Sequence, residues 1–290
     1  MEFYRQQDQE AVWQISYCLR LMLSVWAVCW CFELGRSWIR ICIATGKHAG
    51  LLGAGGRDQN SLILLRRDDW DVENALDMTL QVESTARVDE NTVLPWSSGD
   101  LLAVLVTRRG AENTGDRYLV ASFHGDTNGL ATVPMIQAVL KTRDTLSFLP
   151  APRLLIGLDA NAYEHPKDDG WLGVRELERE LMKSGLASNW QPTAGDAPIG
   201  ERLYHTTFNA RTFLQPQLNK AVRRDERATK GDHNPKDFVL FDTAELRPSS
   251  SMRDNTGQGP GSEYEETIVF PTLQFPSDHA LVATNLVERQ

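Results

Sequence analysis

The run Leu154-Leu155-Ile156-Gly157-Leu158 ends abruptly in Asp159, Ala160 and Asn161, so an apolar stretch carries a carboxylate and a carboxamide at its tip. These two groups can divide the hydrolysis of a phosphate ester between them. The carboxylate accepts a proton from water or meets a metal ion, and the carboxamide donates to a phosphoryl oxygen. In an extended chain, residues two apart point to one face, which predicts that Asp159 and Asn161 point the same way. Taken alone, the segment reads more simply as a strand closed by an Asx-turn. The other polar groups of the chain decide between the two accounts.

Three more apolar stretches begin or end in Asp or His. Tyr118 to Phe123 runs into His124-Gly125-Asp126-Thr127-Asn128-Gly129, Lys236-Asp237 precedes Phe238 to Phe241, and Ser277-Asp278-His279 precedes a terminal apolar segment. A single His at a strand end is usually no more than a satisfied polar residue. Only six histidines occur in the chain, and two of them stand in such settings.

Positioning these groups requires buried strands and covering helices. Leu154 to Leu158 and Leu101 to Val106 lack the polar alternation of a half-wetted strand and so predict strands covered on both faces. Ser61 to Leu65, Tyr118 to Phe123 and Phe238 to Phe241 are read as further strands. Val133, Ile136, Val139 and Leu140 recur at helical spacing, with Pro134 tolerable in the first turn. Val174, Leu177 and Leu181 form a second apolar stripe that Gly185 can cap. Strand, polar loop, helix and strand in succession imply an α/β or α+β layered sandwich. Gly50 to Gly56 is read as a linker, 189 to about 252 as mostly loop, and Ser249 to Ser262 as a turn-rich segment.

The chain has 290 residues, 41% of them hydrophobic and 24% charged, which describes a globular protein with a sizeable core. Its formal net charge of -9 argues against gripping nucleic acid by bulk electrostatics, although one basic loop suffices for a phosphate substrate. All four cysteines (Cys18, Cys29, Cys31, Cys42) fall in the first 42 residues without the spacing of a zinc site. No disulfide framework supports the rest of the chain, so a reducing, intracellular setting fits best. Residues 1–50 are compositionally apart from the domain expected over 51–290. Within them Leu21 to Phe32 is apolar but too short to span a bilayer, which disfavours a membrane anchor.

Gly157-Leu158-Asp159-Ala160-Asn161, then Lys236-Asp237-Phe238-Val239-Leu240, then Ser277-Asp278-His279 resemble, in type and order, the motifs of the endonuclease/exonuclease/phosphatase superfamily, the deoxyribonuclease I-like proteins. The resemblance covers approximately Ser61 to Leu286. It implies a four-layer sandwich in which two packed mixed or antiparallel β-sheets are flanked by helices, with the site at one edge. It also implies a divalent metal, Mg²⁺ or Mn²⁺.

By the same resemblance Asp159 orients and deprotonates the attacking water, and Asn161 holds that water and a phosphoryl oxygen. His279 contacts the scissile phosphate, Asp237 fixes the His279 ring, His124 donates from the opposite side, and Asp278 sits beside the metal. Asn128 and Arg211 are candidate substrate contacts, with Phe208 or Phe213 near Arg211 as a stacking surface or, more plainly, as core. The carboxylate that is the principal metal ligand of the family has no clear counterpart, and Glu33, which ends the apolar run from Ala27, is the candidate for it. The implied activity is metal-dependent hydrolysis of a phosphodiester or phosphomonoester in a nucleic acid, nucleotide, inositol phosphate or lipid phosphate. The alternative is an impaired relative that binds a phosphorylated ligand without turnover.

Overall fold

The computed structural model describes residues 48–52, 61–87, 89, 93–109, 116–190, 204–208, 232–258, 264–270, 272, 275 and 277–289, the first of these segments as backbone alone. Glu33, Arg211, Phe213 and the Leu21 to Phe32 run lie outside the described residues.

The elements are β1 (His48–Leu52), β2 (Leu62–Arg66), a 3-10 turn (Val72–Asn74), β3 (Leu76–Asp77), α1 (Thr79–Ala86), β4 (Leu101–Thr107) and β5 (Arg117–His124). There follow α2 (Thr132–Thr145), β6 (Arg153–Asp159), α3 (Val174–Lys183), β7 (Leu186–Ser188), β8 (Asp237–Asp242), β9 (Leu246–Asp254) and β10 (Leu281–Glu288). A six-stranded sheet has the order β3-β4-β5-β6-β8-β7. Its neighbours are antiparallel except β5 and β6, which are parallel and joined through α2. The antiparallel pairs β1-β2 and β9-β10 form the second β layer.

The central strands are apolar throughout because both of their faces are covered. Leu101, Ala103 and Leu105 of β4, Leu119, Ala121 and Phe123 of β5, and Leu154, Ile156 and Leu158 of β6 share one core with α1, α2 and α3. The alternate residues Leu102, Val104, Val106, Val120 and Leu155 turn to the other face, where they meet Ile63 and Leu65 of β2 and Leu246 of β9. Complete burial of a Leu, Ile or Phe contributes about 1.5–3 kcal/mol relative to exposure, so these two cores, not the polar site, hold the sandwich together. At the end of β6 away from Asp159, Arg153 ties the layers by donating to Asp116 (2.6 Å), the Tyr118 hydroxyl (2.9 Å) and Glu288 of β10 (2.9 Å).

The described residues give helices, sheet and second β layer in that order, an α/β fold consistent with the expected sandwich. The buried residues of all three described helices lie on the first face. Two segments differ from the sequence reading. Gly50 belongs to β1, opposite Leu64, and not to a linker. Ser249 to Asp254 belongs to the nine-residue strand β9, although its polar side chains carry no apolar period. That strand is specified by its partner, since β10 supplies the backbone ladder and a register shift at Asn285/Leu286 accommodates Pro248.

Candidate active site

The strand register assembles the first half of the site. His124 ends β5 opposite Asp159, which ends β6 opposite Asp237, which begins β8. The three therefore form one row across three neighbouring strands. In such a row side chains share a face, and Phe123, Leu158 and Phe238, one position away, all point into the helix-side core. His124, Asp159 and Asp237 accordingly face the second β layer, at the rim of the sandwich.

That layer supplies the other half. His279 lies two residues before β10 and is bridged by backbone to Thr207. Its Nδ1 lies 2.9 Å from Oδ2 and 3.1 Å from Oδ1 of Asp237, while its Nε2 is 3.6 Å from Oδ2 of Asp159. Nε2 of His124 is 3.4 Å from that same oxygen. Two imidazoles from different layers thus converge on one carboxylate oxygen. The Asp237 end is braced by Thr206, whose Oγ1 accepts the backbone N–H groups of Lys236 and Asp237, each at 3.0 Å.

Asn161 reaches the site by another route than strand alternation. The strand stops at Asp159, and Asn161 has φ 46°, a left-handed conformation that Asn tolerates better than most residues. Its N–H donates to Oδ1 of Asp159 at 2.8 Å, so the Asx-turn and the functional arrangement are the same structure. Lys236 Nζ donates to Oδ1 of Asn161 at 3.1 Å, which leaves the amide Nδ2 as the donor for a ligand. Lys236 is 5% exposed, pairs with Asp232 at 2.6 Å and lies 4.9 Å from the centre of the Tyr163 ring. Gly129, with φ +74°, lets the His124 loop lie directly on this turn. A Cβ there would stand 2.6 Å from the Asn161 carbonyl oxygen and 2.7 Å from that of Ala160.

Charge follows from this packing. Burial by itself would raise the Asp159 carboxyl, but His279, then His124 and Lys236, outweigh it and hold Asp159 well below the usual carboxylate range. Burial would lower His279, and the carboxylates of Asp237 and Asp159 overcome it, pushing His279 up to about 10. Burial raises Asp237 against the pull of His279. Near neutral pH the site presents an ionised Asp159 beside an imidazolium at His279. Asp159, Asp237 and His279 could also group around a cation. The two-oxygen contact of His279 with Asp237 favours a histidine–carboxylate pair over that use.

Of the residues singled out in the sequence, the structure brings together His124, Asp159, Asn161, Asp237 and His279. Asp278 is half-buried and adds to the negative field at His279, but is not one of the groups clustered with Asp159. Asn128 uses its backbone carbonyl to accept from Leu172 at 2.8 Å, and no hydrogen bond among the described residues ties its side chain to the cluster. Phe208 is 7% exposed and packs with Phe270 and Phe275, the core role and not a stacking surface. Lys236 and Tyr163 were not identified as site residues from sequence. For Lys236 the one signal is a cation beside Asp237 at the mouth of an apolar strand.

No protein-family model matches the sequence, and no curated protein matches it. Solved structures do. The catalytic domain of human nocturnin with a bound sulfate anion aligns over 97% of this chain and 87% of its own, at a TM-score of 0.54 and 10% identity. TDP2 of D. rerio complexed with a single-strand DNA product aligns over 96% and 91%, at 0.55 and 12%. A conserved protein of unknown function from Enterococcus faecalis V583 aligns over 97% and 90%, at 0.54 and 13%. With the sheet order, these likenesses show that the chain has the deoxyribonuclease I-like fold.

Proposed function

We propose that the protein is a metal-assisted phosphoesterase that hydrolyses a phosphodiester or phosphomonoester. The observation that carries this reading is the approach of His279 Nε2 and His124 Nε2 to one oxygen of Asp159, at 3.6 and 3.4 Å, with Asp237 behind His279. A tetrahedral phosphate presents several acceptor oxygens, and two imidazoles plus the Asn161 amide are donors that can meet different ones. The imidazolium of His279 stabilises charge that builds on these oxygens during attack. Asp159 remains ionised and accepts the hydrogen bond of the attacking water, which sets its direction toward phosphorus. Lys236 adds positive potential behind Asn161 without itself leaving its Asp232 partner.

The donor set fits a hard divalent cation that retains most of its water. Asp159 and Asp237 bring carboxylate oxygens to the rim, and one or two carboxylates with substrate oxygens are enough to place Mg²⁺. Through the resemblance described above, Asp278, from outside the cluster around Asp159, and Glu33 would hold the ion. Bound there, Mg²⁺ or Mn²⁺ would supply Lewis-acid neutralisation of phosphoryl charge and a more acidic water. The substrate class is a phosphate ester of a nucleic acid, nucleotide, inositol or lipid. In support, the D. rerio TDP2 of the same fold was captured with a single-strand DNA product.

The test is hydrolysis of bis(4-nitrophenyl) phosphate and 4-nitrophenyl phosphate with Mg²⁺ or Mn²⁺, by wild type and by His279→Ala. Turnover that falls by about 10²-fold or more in the variant is expected. A wild-type protein inert toward both esters, and toward single-stranded oligonucleotides, with either ion would refute the reading.

A further inference from the structure

We propose a second metal site, specific for a borderline transition ion such as Zn²⁺ or Co²⁺, formed by His205, His233 and Glu266. It uses none of the residues of the Asp159 and His279 cluster, so it stands whether or not the phosphoesterase reading does. One ligand atom from each of the three lies within 4.8 Å of the others. Zinc–nitrogen bonds of roughly 2.0–2.1 Å put tetrahedral ligands about 3.4 Å apart, so small side-chain rotations close the site.

Two further observations point to a ligand. Nε2 of His233 is buried and has no hydrogen-bond partner among the described residues. The His233 ring is 3.9 Å between centroids from the tilted ring of His205 and stacks on Phe208 at 4.5 Å. A stack alone accounts for the rings but leaves a buried nitrogen unsatisfied, which costs free energy that a bound ion would remove. In addition, His205 Nε2 is 2.9 Å from Oε2 of Glu164. A carboxylate on one ring nitrogen fixes the tautomer and raises the basicity of the other, the usual support for a metal-bound histidine.

The charge also suits a divalent cation. Glu164 and Glu266 contribute two negative charges against the one positive charge of Arg253, which pairs with Glu266 through Oε1 and leaves Oε2 for the ion. Two imidazole nitrogens and one carboxylate oxygen select zinc, cobalt or nickel over magnesium. The ion would join the 204–208 segment, the entry to β8 and the 264–270 segment. Thr206 of the first braces Asp237, so occupancy would stiffen the frame of the neighbouring site.

Co²⁺ titration of the full chain, followed by visible absorption and thermal unfolding, tests this. One equivalent is expected to give bands of a nitrogen- and oxygen-bound ion without the near-ultraviolet thiolate absorption that the N-terminal cysteines would produce. A rise in Tm that grows with ion concentration should accompany it. Both signals should vanish in His233→Phe, which keeps the ring stack, and weaken at least tenfold in affinity in the exposed-residue variant Glu266→Gln, while His279→Asn retains them. Failure to take up Co²⁺ or Zn²⁺, thiolate absorption, or unchanged uptake in His233→Phe would each overturn the proposal.

Discussion

Nδ1 of His279 faces both carboxylate oxygens of Asp237, at 2.9 and 3.1 Å, although the two residues are 42 positions apart and come from different β layers. This contact fixes the ring so that Nε2 turns toward Asp159, and it supplies much of the field that keeps the ring protonated. Asp237→Asn removes the charge and keeps the size. The rate of phosphate-ester hydrolysis is expected to fall by about 10²-fold or more. The alkaline limb of its pH profile should move below the value near 10 set by His279. A variant with an unmoved limb would show that Asp237 serves structure alone.

The same contact predicts how stability responds to pH. His279 has a folded pKa of about 10, above its ordinary 6.5. It therefore contributes stability that is fully present below about pH 6.5 and is lost progressively as pH rises to about 10. Asp159 has the opposite sign. Its pKa is held below the ordinary 3.8, so its contribution is present above that value and disappears in acid. Thermal unfolding should show Tm falling between neutral pH and pH 10, and His279→Asn should flatten that slope and also shrink the acid limb, because His279 is the largest of the charges that hold Asp159 low.

Lys236 is a buried cation with two clients, Asp232 at 2.6 Å and Asn161 at 3.1 Å. Lys236→Met leaves Asp232 without its cation, though still bonded to the Asn234 amide, and frees the amide of Asn161. Breaking one side of a buried pair costs about 3–5 kcal/mol. Partial exposure of Asp232 reduces this to about 2–3 kcal/mol, measurable by urea unfolding. Lys236→Met/Asp232→Asn should recover part of the stability but not the rate, because Asn161 remains unpinned.

Gly129 and Gly185 separate strain from collision. Both have positive φ, +74° and +70°, but a Cβ at Gly129 meets two carbonyl oxygens at 2.6 and 2.7 Å, whereas at Gly185 nothing lies within 4 Å. Gly185→Ala should cost about 1 kcal/mol and leave the site intact. Gly129→Ala should cost about 2–3 kcal/mol and depress hydrolysis as well, since the Asn161 turn must move. Equal effects of the two on stability and rate would remove the loop contact from the account of the site.

Most strands were legible because burial on both faces leaves an unmistakable apolar run, as in β4 and β6. β9 was not, because Leu246 to Asp254 is held by the backbone ladder of β10 and its side chains carry no period of their own. Asp159, Asp237 and His279 stood out as polar groups at the ends of apolar runs. Lys236 did not, since its importance comes from what it touches and a lysine is not unusual at a loop. At the Asp159-Ala160-Asn161 tip the chain does not continue as a strand but turns left-handed at Asn161, whose backbone N–H closes onto the Asp159 carboxylate and whose side chain is held by Lys236.

By itself the sequence determined the two-sided burial of the central strands, the helix stripes of α2 and α3, and the identity of the polar groups delivered at the strand ends, all of which depend on local periodicity and side-chain chemistry. Tertiary structure alone decided that His124, Asp159 and Asp237 form one row, that His279 crosses from the second layer to meet them, and that Lys236 turns inward to Asn161. Strand register and layer packing bring residues from distant positions within hydrogen-bonding distance. Their fields then fix which groups are charged, a property that no residue carries in isolation.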